Sequence, residues 1–205
     1  MTPLWLSPAP LILASGSLTR RDMLAAAGLP VETAKPEIDE RAVERPLAEQ
    51  GVAADRIALA LAEAKALAVS KLRSGRLVLA ADQTLTCEGQ SFHKPGDAAA
   101  AAVQIAALAG RTHALHSAFA LARDGEVLAQ GRATAHLTMR PLDAAFIGRY
   151  VEATGPAILA SVGGYQLEGL GAQLFARIDG DHFTILGLPL LPVLQALRDL
   201  GHLAR

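Results

Sequence analysis

The stretch Leu11-Ile12-Leu13-Ala14-Ser15-Gly16-Ser17-Leu18-Thr19-Arg20-Arg21 decides the fold class. Leu11 to Ala14 is a short apolar run with no polar face, which reads as a buried strand. Ser15, Gly16 and Ser17 form a turn. Thr19 to Ala27 reads as a helix, with Gly28 just past its end in the position that favours a left-handed backbone. Leu29 to Thr33 is extended again.

Working outward, Lys35 to Arg45 is dense in charge and reads as a loop feeding a helix. Asp55 is expected to cap a helix reaching Lys71, with Ile57, Leu61, Ala64 and Ala68 on one face. Leu77 to Ala81 reads as a central strand that Asp82 ends. Glu88-Gly89 reads as a hairpin turn between Thr84–Cys87 and Gln90–Phe92. Asp97 opens an alanine-rich helix. Thr112–Arg123 and Glu126–Leu137 pair around Asp124-Gly125. Asp143 to Val151 is helical, with Leu142, Phe146 and Tyr150 on one face. Gly155 to Gly171 is rich in glycine and carries no clear pattern. Phe175–Ile178 and His182–Leu186 read as strands around Asp179-Gly180. Leu190 to Leu200 is a closing helix. Strands, helices and hairpins are mixed without a strict βαβ repeat, so a mixed α/β fold is expected.

Composition narrows the function classes. The chain has 205 residues, 51% hydrophobic and 19% charged, with a net charge of -1. That excludes a disordered chain and disfavours an extended nucleic-acid footprint. Local arginines can still hold a small phosphate ligand. Cys87 is the single cysteine, which rules out an intrachain disulfide and a multi-thiolate zinc site. No targeting or membrane-spanning segment stands out. A soluble cytoplasmic protein, with residues 1–205 as one domain, is the expectation.

Several segments could carry chemistry. Ser15, Ser17, Arg20 and Arg21 surround the start of a helix, where amide hydrogens and guanidinium forks suit a phosphate chain. A capped helix with two surface arginines would look the same. No GxxxxGK[ST] pattern occurs. Asp82 reads either as a base or magnesium ligand, or as a polar strand end. Lys94, in His93-Lys94-Pro95, could neutralise phosphoryl charge or be a surface charge. No second histidine keeps a zinc-protease spacing with His93. Glu37, Asp39 and Glu40 form an acidic group that could share a divalent ion or line a solvated loop. Lys65 lies on a largely apolar helix, and facing inward it would need a charged partner. In Ser161 to Gly171, the glycines would permit close backbone approach. Tyr165 and Glu168 could meet a base there or help shape its pocket, and packing constraints alone could explain the same glycines.

Taken in order, these segments resemble the Maf family of nucleoside triphosphate pyrophosphatases, historically labelled septum-formation inhibitors. The resemblance runs from Leu11 to about Leu200. It rests on Leu13-Ala14-Ser15-Gly16-Ser17 with Arg20-Arg21, Ile38-Asp39-Glu40, Ala64-Lys65-Ala66 and Ala81-Asp82-Gln83-Thr84. Lys94-Pro95, Gly110-Arg111-Thr112-His113, Ile178-Asp179-Gly180-Asp181 and Leu186-Gly187-Leu188-Pro189-Leu190 follow. The first motif departs from the family at Leu18 or Thr19, where proline is usual.

The resemblance implies a Maf/Ham1 (ITPase-like) body of two lobes around a central cleft. It implies hydrolysis of a nucleoside triphosphate to the monophosphate and pyrophosphate by water attack at the α-phosphorus, with magnesium or manganese as cofactor. Ser15, Ser17, Arg20 and Arg21 then meet the triphosphate. Glu40, Lys65, Asp82 and Lys94 are the catalytic set, with Glu40 and Asp82 as metal ligands and Asp82 as proton acceptor. A homodimer is a common assembly in the family. The partner is a nucleotide, with no nucleic-acid polymer and no membrane. The dTTP/UTP-preferring branch has Thr at Gln83, Gln at Glu168 and Asp-Lys at Ala160-Ser161. Gln83 with Glu168 resembles instead the branch that includes 7-methyl-GTP pyrophosphatases, so these two residues are expected to set base specificity. The alternative reading is a non-catalytic nucleotide-binding regulator of cell division.

Overall fold

The strand that the sequence ends at Asp82 does not end there. In the computed structural model, which describes residues 4–205, β3 runs over Val78–Cys87. Its antiparallel partner β5 (Thr112–Arg123) pairs with it from Val78↔Ala122 to Thr86↔Ala114. Pairing satisfies the backbone whatever the side chains are, so Asp82 marks the end of the apolar content and not of the strand.

Around this pair lies one mixed sheet in the order β2-β1-β3-β5-β6-β7, with β4 also on β3. Strands β1 (Leu11–Leu13), β2 (Val31–Thr33) and β3 are parallel. β4 (Gln90–Phe92), β6 (Glu126–Met139) and β7 (Phe175–Asp179) pair antiparallel with their neighbours. The expected mixed α/β class is what forms. From β1 the chain goes through α1 (Leu18–Ala26) to β2 on one side. It then returns through α2 (Glu40–Glu49) and α3 (Ala54–Leu72) to β3 on the other. The strand order reverses at β1, and crevices beyond the carboxyl ends of strands at such points hold ligands.

The β1 side of β3 is only partly occupied. β1 covers Val78 and Leu79, with the Ala14 amide donating to the Leu79 carbonyl at 2.7 Å. β4 resumes at Leu85–Cys87. From Ala80 to Thr84 that edge has no strand neighbour among the described residues, and the candidate site sits in this gap.

Successive β3 side chains alternate between faces. Val78 and Ala80 pack under α3 against Ala58, Ala62 and Ala66, all fully buried. On the other face, Leu79 and Ala81 join a cluster with α1 and α7 (Leu190–Asp199). Leu85 and Cys87 join a second cluster with α4 (Ala98–Leu108) and α5 (Ala144–Thr154). Gln83 stands between these two clusters.

Other boundaries differ for local reasons. Asp55 does not cap α3: Ala53 occupies the cap position without a side-chain bond, and Asp55 lies in the first turn. α2 starts inside the expected 35–45 loop, because the Asp39 carboxylate accepts from the Arg41 and Ala42 amides. His182–Leu186 is not a strand. Asp181 accepts from the Thr184 amide at 2.9 Å and starts a one-turn helix, α6 (His182–Ile185), so a cap overrides the β-propensity of Phe183-Thr184-Ile185. The unassigned glycine-rich region contains the 3₁₀ turns Gly155–Leu159 and Val162–Gly164, and a third, Leu170–Leu174, leads out of it. Both hairpin turns form as read, with positive φ at Glu88-Gly89 and Asp124-Gly125, as tight hairpins favour. Among the described residues, no helix is long and apolar enough to cross a membrane.

Candidate active site

Lys65 is the centre of the site. The apolar face of α3 turns it towards β3, leaving its side chain only 8% exposed. Its ammonium bonds Asp82 Oδ1 at 2.5 Å and Glu40 Oε1 at 2.9 Å. The charged partner that an inward lysine requires is thus supplied twice, from β3 and from the first residue of α2. Asp82 is nearly as buried, at 12%, whereas Glu40 keeps 54% of its side chain in solvent.

Arg20 closes the gap from the other side. Its Nη1 donates to the Ala81 carbonyl at 2.8 Å and to Ser15 Oγ at 3.4 Å. Its Nε donates to the Gly187 carbonyl at 2.7 Å. Arg20 therefore takes a carbonyl of β3 within the stretch that has no strand neighbour. Burial pulls this guanidinium below its ordinary pKa, against the opposing pull of Asp82 and Glu40, and it stays charged. Gly187 has φ +95°, and a Cβ there would stand 3.2 Å from Arg20 Nη2 and 3.6 Å from Gln83 Oε1. Its missing side chain leaves room for Arg20 beside it. Ser15 is buried and also accepts from the Ser17 amide. Ser17 caps α1 by accepting from the Arg20 amide.

Gln83 faces away from Asp82. Its Nε2 lies within hydrogen-bond distance of Ser117 Oγ and of the Thr184 and Ile185 carbonyls, at 3.0 to 3.1 Å. Ser117 Oγ donates to the Thr184 carbonyl at 2.7 Å. The amide nitrogen is committed to holding α6, and Oε1 makes no hydrogen bond among the described residues.

The remaining expected residues stand apart from this cluster. Arg21 is exposed and pairs with its neighbour Asp22 at 2.8 Å. Lys94 and Glu168 are exposed. Neither makes a hydrogen bond or ion pair within the described residues. Tyr165 does not face a ligand: it is buried, and its hydroxyl meets His113 Nε2 at 2.6 Å. Sequence reasoning missed Ser117 and Gly187 as parts of the Gln83 and Arg20 environment. Gly187 lies inside a quoted motif, and Ser117 carried only one signal, a polar residue among the apolar positions of its strand face.

No group of three or more His, Cys, Asp or Glu side chains able to hold a metal occurs among the described residues. Two hard oxygen donors, Glu40 and Asp82, do converge on Lys65. That set suits a magnesium-type ion whose other ligands are substrate phosphates and water.

The comparisons extend this picture. A family model described as Maf-like protein matches residues 10–200. The 7-methyl-GTP pyrophosphatase of Mesorhizobium japonicum is 54% identical over 191 residues, covering 93% of this chain and 96% of that protein. The nucleoside triphosphate pyrophosphatase of Nitrobacter winogradskyi is 52% identical over 196 residues, covering 95% and 96%. Among solved structures, the Staphylococcus aureus Ham1 protein is 18% identical with a TM-score of 0.37, over 63% of this chain and 71% of that one, a likeness too slight to bear on function.

Proposed function

This chain belongs to the Maf-like protein family and is a nucleoside triphosphate pyrophosphatase, and we propose that its substrate is a guanine-type triphosphate, 7-methyl-GTP above all, bound in the gap beside β3. The observation that carries the reading is the buried Lys65 bridging Asp82 and Glu40, next to Arg20.

Charge arithmetic supports a triphosphate at this site. Lys65 and Arg20 bring two positive charges against the two carboxylates, so this inner cluster is close to neutral. The substrate's own charge needs further cations. Arg21 and Lys94 are exposed on flanking segments and supply two. Glu40 and Asp82 would hold a magnesium or manganese ion, which supplies charge neutralisation on the phosphoryl oxygens when bound. A water oxygen attacks the α-phosphorus, and the bond to the bridging oxygen breaks. Pyrophosphate leaves with the electron pair, and Asp82 takes the proton from the water. Arg20 and Lys65 are already placed and need little reorganisation as charge builds up, which is the main source of catalysis in such a reaction.

Base choice follows from donors and acceptors. Gln83 offers Oε1, because its nitrogen is spent on α6. Glu168, when ionised, offers only acceptors. Two acceptors suit the adjacent N–H groups of a guanine edge better than the carbonyls of uracil or thymine. Methylation at N7 leaves that edge in place and adds positive charge to the ring, which favours a carboxylate. The M. japonicum relative, named for that substrate, supports the same choice. The reading also has one two-lobed domain acting as a cytoplasmic homodimer on free nucleotides. Pyrophosphate release, measured with magnesium and with manganese over 7-methyl-GTP, GTP, CTP, UTP and dTTP, tests it. The highest kcat/KM is expected for 7-methyl-GTP; a preference for UTP or dTTP would refute the assignment.

A further inference from the structure

His113 and Tyr165 form a buried pair that the reaction itself does not use. Tyr165 belongs to the glycine-rich segment, three residues before Glu168. His113 is the second residue of β5 and is 1% exposed. Besides the 2.6 Å bond between the Tyr165 hydroxyl and His113 Nε2, both rings pack on Phe175, with centroids 5.9 Å (His113) and 4.9 Å (Tyr165) away. His113 Nδ1 is buried with no hydrogen-bond partner among the described residues. A buried polar atom left unpaired is costly, so packing alone gives no reason for a histidine here.

What the pair holds is the path of the chain over β3. Gly163 has φ +77°, and a Cβ there would lie 2.8 Å from Leu85 Cδ1 and 2.9 Å from Tyr165 Cε1. The segment therefore crosses β3 at Leu85, the next residue after Gln83 on the same face. Ile185, whose carbonyl faces Gln83 Nε2, lies in the same apolar cluster as Leu85 and Tyr165. Of the side chains from Val162 to Glu168, only that of Tyr165 hydrogen-bonds another part of the protein among the described residues. Tyr150 adds a weaker tie, its hydroxyl donating to the Gly164 carbonyl at 3.3 Å. Beyond Tyr165 the chain runs out to Glu168, which is exposed and makes no side-chain bond among the described residues.

We infer that the His113–Tyr165 bond is a positioning latch that fixes the 162–168 segment against β3 and so sets where Glu168 meets the base. The inference rests on the base-reading role proposed for Glu168. Tyr165→Phe removes one hydroxyl and keeps the ring contacts. The kcat/KM ratio of 7-methyl-GTP to UTP should fall by about fivefold or more, the fold-change that corresponds to losing one buried hydrogen bond. Glu168→Gln should lower the same ratio, and Tyr165→Phe should add little in the Glu168→Gln background, because one acts through the other. His113→Gln, whose amide oxygen can still accept the hydroxyl, should keep more of the ratio than His113→Leu. An equal fall on all substrates, in step with a lower Tm, would make the pair a packing feature and overturn the latch. So would a Tyr165→Phe effect that adds in full to that of Glu168→Gln. If Glu168→Gln alone leaves the ratio unchanged, the base-reading role fails, and the latch fails with it. If the wild-type enzyme releases no pyrophosphate from any triphosphate, what fails is the activity on which both rest.

Discussion

Lys65→Met tests the centre of the site through stability as well as activity. The substitution keeps the length and most of the packing of the side chain but removes the ammonium. Asp82 then loses the partner 2.5 Å away while it stays 12% exposed. Breaking a buried ion pair on one side costs about 3–5 kcal/mol. The Glu40 arm adds little, because Glu40 is 54% exposed and exposed pairs contribute about 0–1 kcal/mol. Residual solvent at Asp82 places the expected loss near the lower bound, about 3 kcal/mol. For a chain of this size that is a fall in Tm of roughly 6–12 °C. Urea denaturation followed by circular dichroism should show a lower midpoint with an unchanged slope. The double variant Lys65→Met/Asp82→Asn removes the stranded charge and should recover a large part of the loss. Neither variant should release pyrophosphate at an appreciable rate. A loss below about 1 kcal/mol in the single variant, or no recovery in the double, would refute the claim that these two groups form a buried pair.

Asp82→Asn alone is expected to lower kcat by about 10²–10⁴-fold, with the fold retained by circular dichroism; an unchanged kcat at saturating metal would remove Asp82 from proton transfer. Lys94→Ala should leave stability within about 0.5 kcal/mol, as for other surface changes, while kcat/KM falls; matched melting and kinetic measurements separate a phosphate contact from a plain surface charge. Burial lowers the His113 pKa from 6.5 to about 4. The unfolded chain then binds more protons than the folded one between those values, so this stabilisation is complete above pH 6.5 and is lost as pH falls to 4. The loss is about 3 kcal/mol over that range. Urea midpoints at pH 7 and pH 4.5 should converge more in His113→Gln than in the wild type.

Much of this architecture was written locally. The strand–turn–helix at Leu11–Arg21 and both glycine hairpins depend on neighbouring residues, and they form as read. Two errors share one cause. Asp82 looked like a strand end because composition changes there, yet pairing with β5, which lies far along the chain, carries the strand to Cys87. His182–Leu186 looked like a strand because of its side chains, yet the Asp181 cap and the carbonyl bonds to Gln83 and Ser117 settle it as a helix. The site divides in the same way. That Lys65 needed a carboxylate was legible from an apolar helix, but which carboxylates supply it depends on how α2, α3 and β3 pack. Tyr165 looked free to meet a ligand because nothing near it in sequence announces His113.

The gap in the β3 edge also limits how this protein can change in length. Asp82 and Gln83 are adjacent, so they point to opposite faces, one towards Lys65 and the other towards α6. Deleting one residue between Leu79 and Asp82 would rotate everything after it by one step of the pleat. The carboxylate would then face α6 and the amide would face Lys65, exchanging the two tasks. Deleting two residues would restore the facing but would bring β4 about 7 Å closer to the end of β1, shortening the slot by the length of two residues. Insertions meet the same arithmetic in reverse. Relatives with a different spacing between Leu79 and Leu85 should therefore be rare, and where one occurs, a bulge should be found restoring the register.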